Sequence, residues 1–319
     1  MKSVSTTEAT PFTLISLGLT LSLWLFPLGC QSAPSAPTAS TTPTATVESG
    51  GASVTLSSST TADGTLVMVS VHVPAGGPVS GKDPAISGDY EGTAIPFYPV
   101  PERGEGIYEA VVGVPVDHKP GPSEIKVSIG PAQTLSVPLT IVSGQYPSTA
   151  LTVAPGQVNP GAKALKRIKK EIAETAPLYK RLTLKKYWNG PFVLPINSTI
   201  NSPFGEHRTY NGEPRNYHPG LDLKAAIGTP IHAPAGGIVV LAKNLYFTGY
   251  TVMIDHGYGI ITLYAHMSKL RVKKGQEVHA GDLLGLSGKT GRVTGPHLHW
   301  QVKIHDVKVN PLGLVQVLR

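Results

Sequence analysis

Short runs of β-branched and aromatic residues, flanked by glycine or proline, recur from residue 65 to residue 304. TLVMVSVHV (65–73), EIKVSI (124–129), LSVPLTIV (135–142), GGIVVLA (236–242), YTVMIDHG (250–257), IITLYAH (260–266) and PHLHWQVKI (296–304) have the length and composition of strands. With 35 glycines and 29 prolines in 319 residues, breaks come too often for a helical bundle. The predicted class is therefore mainly β, and the length suits two domains, each able to bury a core. In the first run Val67, Val69, Val71 and Val73 alternate onto one face.

The one cysteine, Cys30, excludes an intramolecular disulfide and leaves the mature body without a zinc ribbon or a cysteine nucleophile. It ends an uncharged run, FTLISLGLTLSLWLFPLG (12–29), so residues 1–30 read as an export signal. The run resembles a bacterial lipoprotein signal peptide, whose cysteine becomes the lipidated first residue and tethers the protein to a membrane. As a retained helix it would span roughly 27 Å, enough for a membrane anchor. Both readings place residues 31–319 outside the cytoplasm, in the extracytoplasmic envelope.

Residues 31–51 are Ser, Thr, Ala and Pro almost throughout and are expected to form a disordered linker. Residues 52–144 carry strand signals at sandwich-like intervals and are expected to form a small antiparallel β-sandwich; YEAVVGVPVDHKPG (108–121) resembles immunoglobulin-like modules, which implies an immunoglobulin-like sandwich, and His72 and His118 there read as surface or strand-end histidines. Residues 145–190 form a basic connector with one short helix, predicted to begin at Asn159-Pro160, to place Leu165, Ile168 and Ile172 on one face, and to stop before Pro177. Between Lys163 and Lys186 nine Lys or Arg face Glu171 and Glu174; nine minus two equals the formal net charge of +7. The cluster reads first as a solvated helix face and second as an attractor for an anionic polymer or lipid surface. No nucleic-acid-binding signature accompanies it, and export argues against such a partner.

Nine of the eleven histidines fall in the last block, residues 191–319. In YHPGLDL, His218 and Asp222 are four apart, but Pro219 and Gly220 argue against a helix. An extended chain would separate the two by about 13 Å, whereas ligands of one zinc lie only about 3 to 3.5 Å apart, so the Pro-Gly pair must bend the chain. In GPHLHW, a strand would put His297 and His299 on one side about 7 Å apart, with Leu298 facing the core. Each pair alone fits an ordinary loop or strand as well as a metal site. With one imidazole of the second pair on a metal and the other beside the open coordination position, the two pairs supply three N and O donors, the number a catalytic zinc site needs. His266, at the end of IITLYAH, reads either as a strand-end imidazole or as a second imidazole near that site. His232, His256, His279 and His305 read as structural or exposed, and His207 has no assigned role.

The block resembles the lysostaphin-type zinc endopeptidases that cut peptidoglycan peptides. The likeness rests on SPFGEHR (202–208), YHPGLDL, GTPIHAPAGGIV, VMIDHGYG, LYAHMS, VKKGQEVHAGDLLGLSGKTGRVTGPHLHW and VNPL, in that order over some 120 residues. The resemblance implies an antiparallel β metallopeptidase domain, the duplicated hybrid motif, with a groove across its sheet. It implies one zinc ion held by His218, Asp222 and His299, with His266 and His297 as the catalytic pair. His207 stands where many relatives have proline or arginine.

No H-E-x-x-H helix supplies a glutamate base, so an imidazole is the expected proton acceptor. The expected function is a zinc-dependent endopeptidase acting on peptidoglycan stem peptides or cross-links, with a bond from D-Ala to a diamino acid preferred over a glycine bridge. The alternative is a catalytically silent murein-binding module, or an activator of another wall hydrolase. A biotinyl or lipoyl carrier is disfavoured because Lys273 and Lys274 precede the glycine turn instead of sitting at a hairpin tip.

Overall fold

The computed structural model describes residues 44–75, 85–131, 133–151, 160–210, 213–214 and 217–318. The export signal, Cys30 and residues 31–43 of the expected linker lie outside the described residues. Among the described residues no helix is long and apolar enough to cross a membrane.

The chain is mainly β. Its first half is a sandwich of two five-stranded sheets. Val67, Val69, Val71 and Val73 face inward, where they share one core with Ile125, Val127, Leu135, Val137, Leu139 and Ile141 of the other sheet. The sandwich begins earlier than the sequence suggests. Ala45–Ser49, inside the stretch expected to be a disordered linker, is a strand paired antiparallel with Ala52–Leu56. Ala45 and Val47 alternate with Thr46 and Glu48 and pack against the sandwich core, a period-2 signal hidden by the polar composition around it.

The strand Leu66–His72 is buried on both faces. Its even-numbered side, Leu66 and Met68, joins Tyr98, Val100 and Val111 in a second core that is continuous with Leu221, Leu298, Trp300, Ile304 and Leu314 of the last block. The two expected domains therefore share apolar packing. Gly113 shows how closely they approach: a Cβ there would lie 3.0 Å from Val309 Cγ1 and 3.3 Å from Ile304 Cβ.

The last block is built on an eight-stranded sheet. Its main path runs Ile200–Ser202, Leu221–Lys224, His297–Ile304, Ile260–Met267, Gly249–Gly257, Gly237–Leu245 and Glu277–Val278, and Val307–Val309 pairs with His297–Ile304. Every described pairing within this sheet is antiparallel. On the His297–Ile304 strand, Leu298, Trp300, Val302 and Ile304 enter the shared core. The alternate residues His297, His299, Gln301 and Lys303 take the opposite face.

The connecting helix, α1, spans Ala162–Tyr179. It does not stop before Pro177. A proline so near the helix end removes only one backbone hydrogen bond, and the last turn is held because Leu178 and Tyr179 pack on Leu241, Met253, Ile261 and Leu263. Lys303 Nζ lies 3.9 Å from the Tyr179 ring centroid. Of the three residues expected on the apolar face only Ile168 is buried; Leu165 and Ile172 are exposed. A second helix, α2 (Pro311–Val317), was not expected. It starts with Asn310 as a side-chain cap on the Leu312 N–H, 3.1 Å, followed by proline at the first position. The basic cluster divides: Arg167, Arg181 and Lys186 form ion pairs with Glu171, Asp255 and Glu102, and Lys163, Lys166, Lys169, Lys170, Lys180 and Lys185 are exposed.

Two histidines outside the site make stability pH-dependent. His256 is fully buried, hydrogen-bonded to the Gly236 carbonyl and Thr262, and burial pushes its pKa down to about 4. His305, bonded to the Tyr258 carbonyl, is pushed down to about 4 by the same cause. An unfolded imidazole titrates near 6.5, so as pH falls the unfolded chain takes up these protons first. The contribution of these two histidines to stability is expected to be flat above pH 6.5 and to decline between 6.5 and 4, with His256 alone accounting for about 3 kcal/mol. Urea midpoints measured across that range check this, and His256→Gln should flatten the slope.

Candidate metal centre

Strand register brings the centre together. Asp222 and His299 are directly opposed Cα partners on neighbouring antiparallel strands, so their side chains share one face. Ser202 is Asp222's partner on its other side, and Ala265, which precedes His266, is His299's. One row thus crosses four strands. His218 reaches the row from the loop before Leu221–Lys224, where the Pro219-Gly220 bend returns the chain. Gly220 is needed for that approach, because a Cβ would lie 2.6 Å from the Trp300 carbonyl oxygen and 2.7 Å from His299 Cε1.

His218 Nε2 lies 3.0 Å from Asp222 Oδ1 and 3.0 Å from His299 Nδ1, and His299 Nδ1 lies 2.8 Å from Asp222 Oδ1. These three residues are the set among the described residues whose donors converge closely enough for one ion, and all three are buried. The His218 Nδ1–H donates to the Pro203 carbonyl at 2.8 Å, which fixes the tautomer and leaves Nε2 with its lone pair directed at the other two donors. Three lone-pair donors this close repel one another unless a cation or proton sits among them. Two imidazoles and a carboxylate at these separations suit a single zinc-sized ion.

Burial opposes ionisation of Asp222, but hydrogen bonds and charge from His218 and His299 outweigh it and hold the carboxyl well below the usual range. Burial also lowers the His299 pKa, with the Asp222 carboxylate opposing. Both residues are thereby kept in the forms that bind a cation. Asp222's other oxygen lies 3.8 Å from the Arg208 guanidinium. Arg208 also donates to Glu206, 3.0 Å, and Ser202, 2.6 Å, and Ser202 donates to Glu206, 2.7 Å.

His266 and His297 stand beside the three donors, their ring centroids 4.9 Å apart. The Nδ1–H of His266 donates to the Thr290 carbonyl, 2.9 Å, and that of His297 to the Gly295 carbonyl, 2.9 Å. Each ring therefore keeps Nε2 as its acceptor atom; that of His297 lies 3.6 Å from Asp222 Oδ1. Burial, with the neighbouring His299, pushes the His266 pKa down to about 4, so the ring is uncharged at neutral pH. His266 also has a left-handed backbone, φ 61°, uncommon for a residue with a side chain.

The other histidines lie elsewhere. His207 is half-buried, 3.9 Å from Asp117, and takes no part in the centre. The His232 Nδ1–H donates to the Gly281 carbonyl, His279 is exposed near Asp282, His72 ends its strand, and His118 contacts Glu91. Ser202, Glu206 and Arg208 carry no assignment from sequence, although all three stand in SPFGEHR; a serine and a Glu-x-Arg pair around a glycine turn were the available signal. The strand Ser148–Leu151 in the connector, which pairs in parallel with His207–Tyr210, was likewise not expected.

The model of Peptidase family M23 matches residues 216–311. Over 111 residues the chain is 43% identical to peptidoglycan DD-endopeptidase ShyA of Vibrio cholerae, covering 32% of this chain and 26% of that protein. Over 119 residues it is 38% identical to the DD-carboxypeptidase/endopeptidase Mpg of Neisseria meningitidis, covering 37% and 27%. The chain thus spans about a quarter of the length of these relatives. A crystal structure from Pseudomonas aeruginosa, of a protein assigned to peptidase M23, superposes with a TM-score of 0.59 at 32% identity, covering 78% of this chain and 93% of that one.

Proposed function

Because this chain belongs to peptidase family M23, a family of metallopeptidases, we propose that it is a zinc-dependent endopeptidase that hydrolyses peptide bonds in the stem peptides or cross-links of peptidoglycan. The observation that carries the reading is the convergence of His218, Asp222 and His299 with two further imidazoles whose acceptor nitrogens are free of their own backbone bonds. In this reading the chain works in the bacterial envelope, tethered through Cys30, and remodels the wall. Relatives named as DD-endopeptidases support the preference for a bond between D-Ala and a diamino acid.

Zinc held by His218, Asp222 and His299 would supply Lewis acidity, polarising the scissile carbonyl and bringing the pKa of water from 15.7 toward about 7. The side chains do the rest. His266 and His297, each pinned at Nδ1 by a backbone carbonyl, present Nε2 to take the proton of the attacking water. The ring that receives it becomes a donor at Nε2 and delivers that proton to the leaving amine; the other, whose Nε2 is also an acceptor, orients the attacking water by accepting its second hydrogen. Arg208 and the Ser202–Glu206 pair hold Asp222 and the His218 loop in place.

The test is digestion of purified sacculi with the zinc-loaded protein, followed by mass analysis of the soluble fragments. Release of uncross-linked muropeptides with new D-Ala termini is expected. Intact cross-links beside tight sacculus binding would favour the silent wall-binding reading instead.

A further inference from the structure

We propose that two described parts of the connector, residues 145–151 and α1, are positioning elements of the hydrolytic site: the first arm holds the loop that orients His218, and the second holds the loop that supports His266. The inference rests on the function proposed above.

The first arm is anchored in the sandwich. Asp63, buried, accepts from the backbone N–H of Asp117, 2.8 Å, and of Gly144. The Tyr146 hydroxyl donates to the Asp63 carbonyl. The Tyr146 ring lies edge-on to Phe204 and covers Gly205, whose φ of 80° suits glycine and where a Cβ would collide with that ring. Ser148–Leu151 then adds a parallel strand to His207–Tyr210, and the Thr149 hydroxyl donates to Glu206 Oε1 at 2.8 Å. The gripped loop carries three backbone groups that hold His218: the Pro203 carbonyl on Nδ1, the Glu206 carbonyl that accepts the His218 backbone N–H, 2.8 Å, and the Gly205 N–H that donates to the His218 carbonyl, 2.9 Å.

The second arm is α1. Glu171 accepts from Arg167, 2.6 Å, and from the backbone N–H of Tyr246, 2.7 Å, while Arg167 donates to the Asn244 carbonyl, 3.3 Å. These bonds hold the turn between Gly237–Leu245 and Gly249–Gly257. In that turn the Thr248 carbonyl accepts the His266 backbone N–H at 2.8 Å, and the Phe247 carbonyl accepts the Arg292 backbone N–H, 2.8 Å, two residues beyond the Thr290 carbonyl that pins the His266 ring. A left-handed histidine persists only where its surroundings over-determine it. The second arm supplies part of that hold.

The full chain tests the proposal with Thr149→Val and Glu171→Ala, and with Thr149→Ser and Glu171→Gln as conservative partners. Thr149→Val should raise the zinc dissociation constant, measured by chelator competition, about 3- to 10-fold, below the range for loss of a group bonded directly to a ligand. Thr149→Ser should restore it. Glu171→Ala should lower kcat on a cross-linked muropeptide about 10-fold with KM and zinc affinity unchanged, and Glu171→Gln should recover most of the loss. Wild-type zinc affinity and kcat in both alanine or valine variants, or losses that merely track a lowered melting temperature, would overturn the proposal. If the unaltered chain cuts no peptide, the proposed function falls, and the zinc measurement on Thr149→Val still decides the first arm.

Discussion

His218→Ala is expected to lose zinc and hydrolysis together. The variant keeps Asp222 and His299, a two-donor site, and loss of groups merely bonded to a ligand already costs about 10- to 100-fold in metal affinity. Affinity should therefore fall by more than about 100-fold, and turnover at limiting zinc by at least as much. The deletion also removes the partner that helps hold the Asp222 carboxyl below the usual range, so the remaining pair becomes more prone to protonation. Metal content after dialysis, read beside muropeptide release, checks both effects. Full zinc occupancy in this variant would reject the three-donor centre.

His266→Ala should separate the two properties that His218→Ala removes together. His266 is not among the converging donors, and its ring is fixed through the Thr290 carbonyl without help from Asp222. Zinc affinity should stay within about threefold of the parent, while kcat falls by roughly 10²- to 10⁴-fold, the range for loss of a positioned acid or base. A variant that retains kcat would remove His266 from the mechanism and leave His297 as the proton acceptor. Because His266 is buried with a left-handed backbone, a thermal melt must accompany the kinetics; unchanged melting with lost turnover is the expected pattern.

Much of the site was legible because its chemistry is concentrated in unusual residues. Histidine at 218, 297 and 299, an aspartate at 222 and a Pro-Gly bend between 218 and 222 are readable in the chain itself, and alternation alone puts Leu298 on one face of its strand and both flanking histidines on the other. The supports were not legible in the same way. Pro203, Gly295 and Thr290 contribute carbonyl oxygens, which every residue possesses, so no residue type marks them. Thr149 and Glu171 are common surface-type residues whose partners lie far away in sequence. The strand at Ala45 and the helix turn beyond Pro177 were missed for a related reason, since each is held by packing that outweighs local propensity.

The sequence by itself determined the mainly β class, the inward valines of the sandwich and the candidate donors, because alternation and donor chemistry are properties of short stretches; the choice of His299 over His297 as the ligand came from the family resemblance. Only tertiary structure decided that Asp222 stands opposite His299, that the sandwich and the last block share one apolar core, and that the connector reaches both halves of the site. Strand register and long-range hydrogen bonding depend on which distant segments meet, and a one-residue slip between Leu221–Lys224 and His297–Ile304 would turn Asp222 away from both histidines.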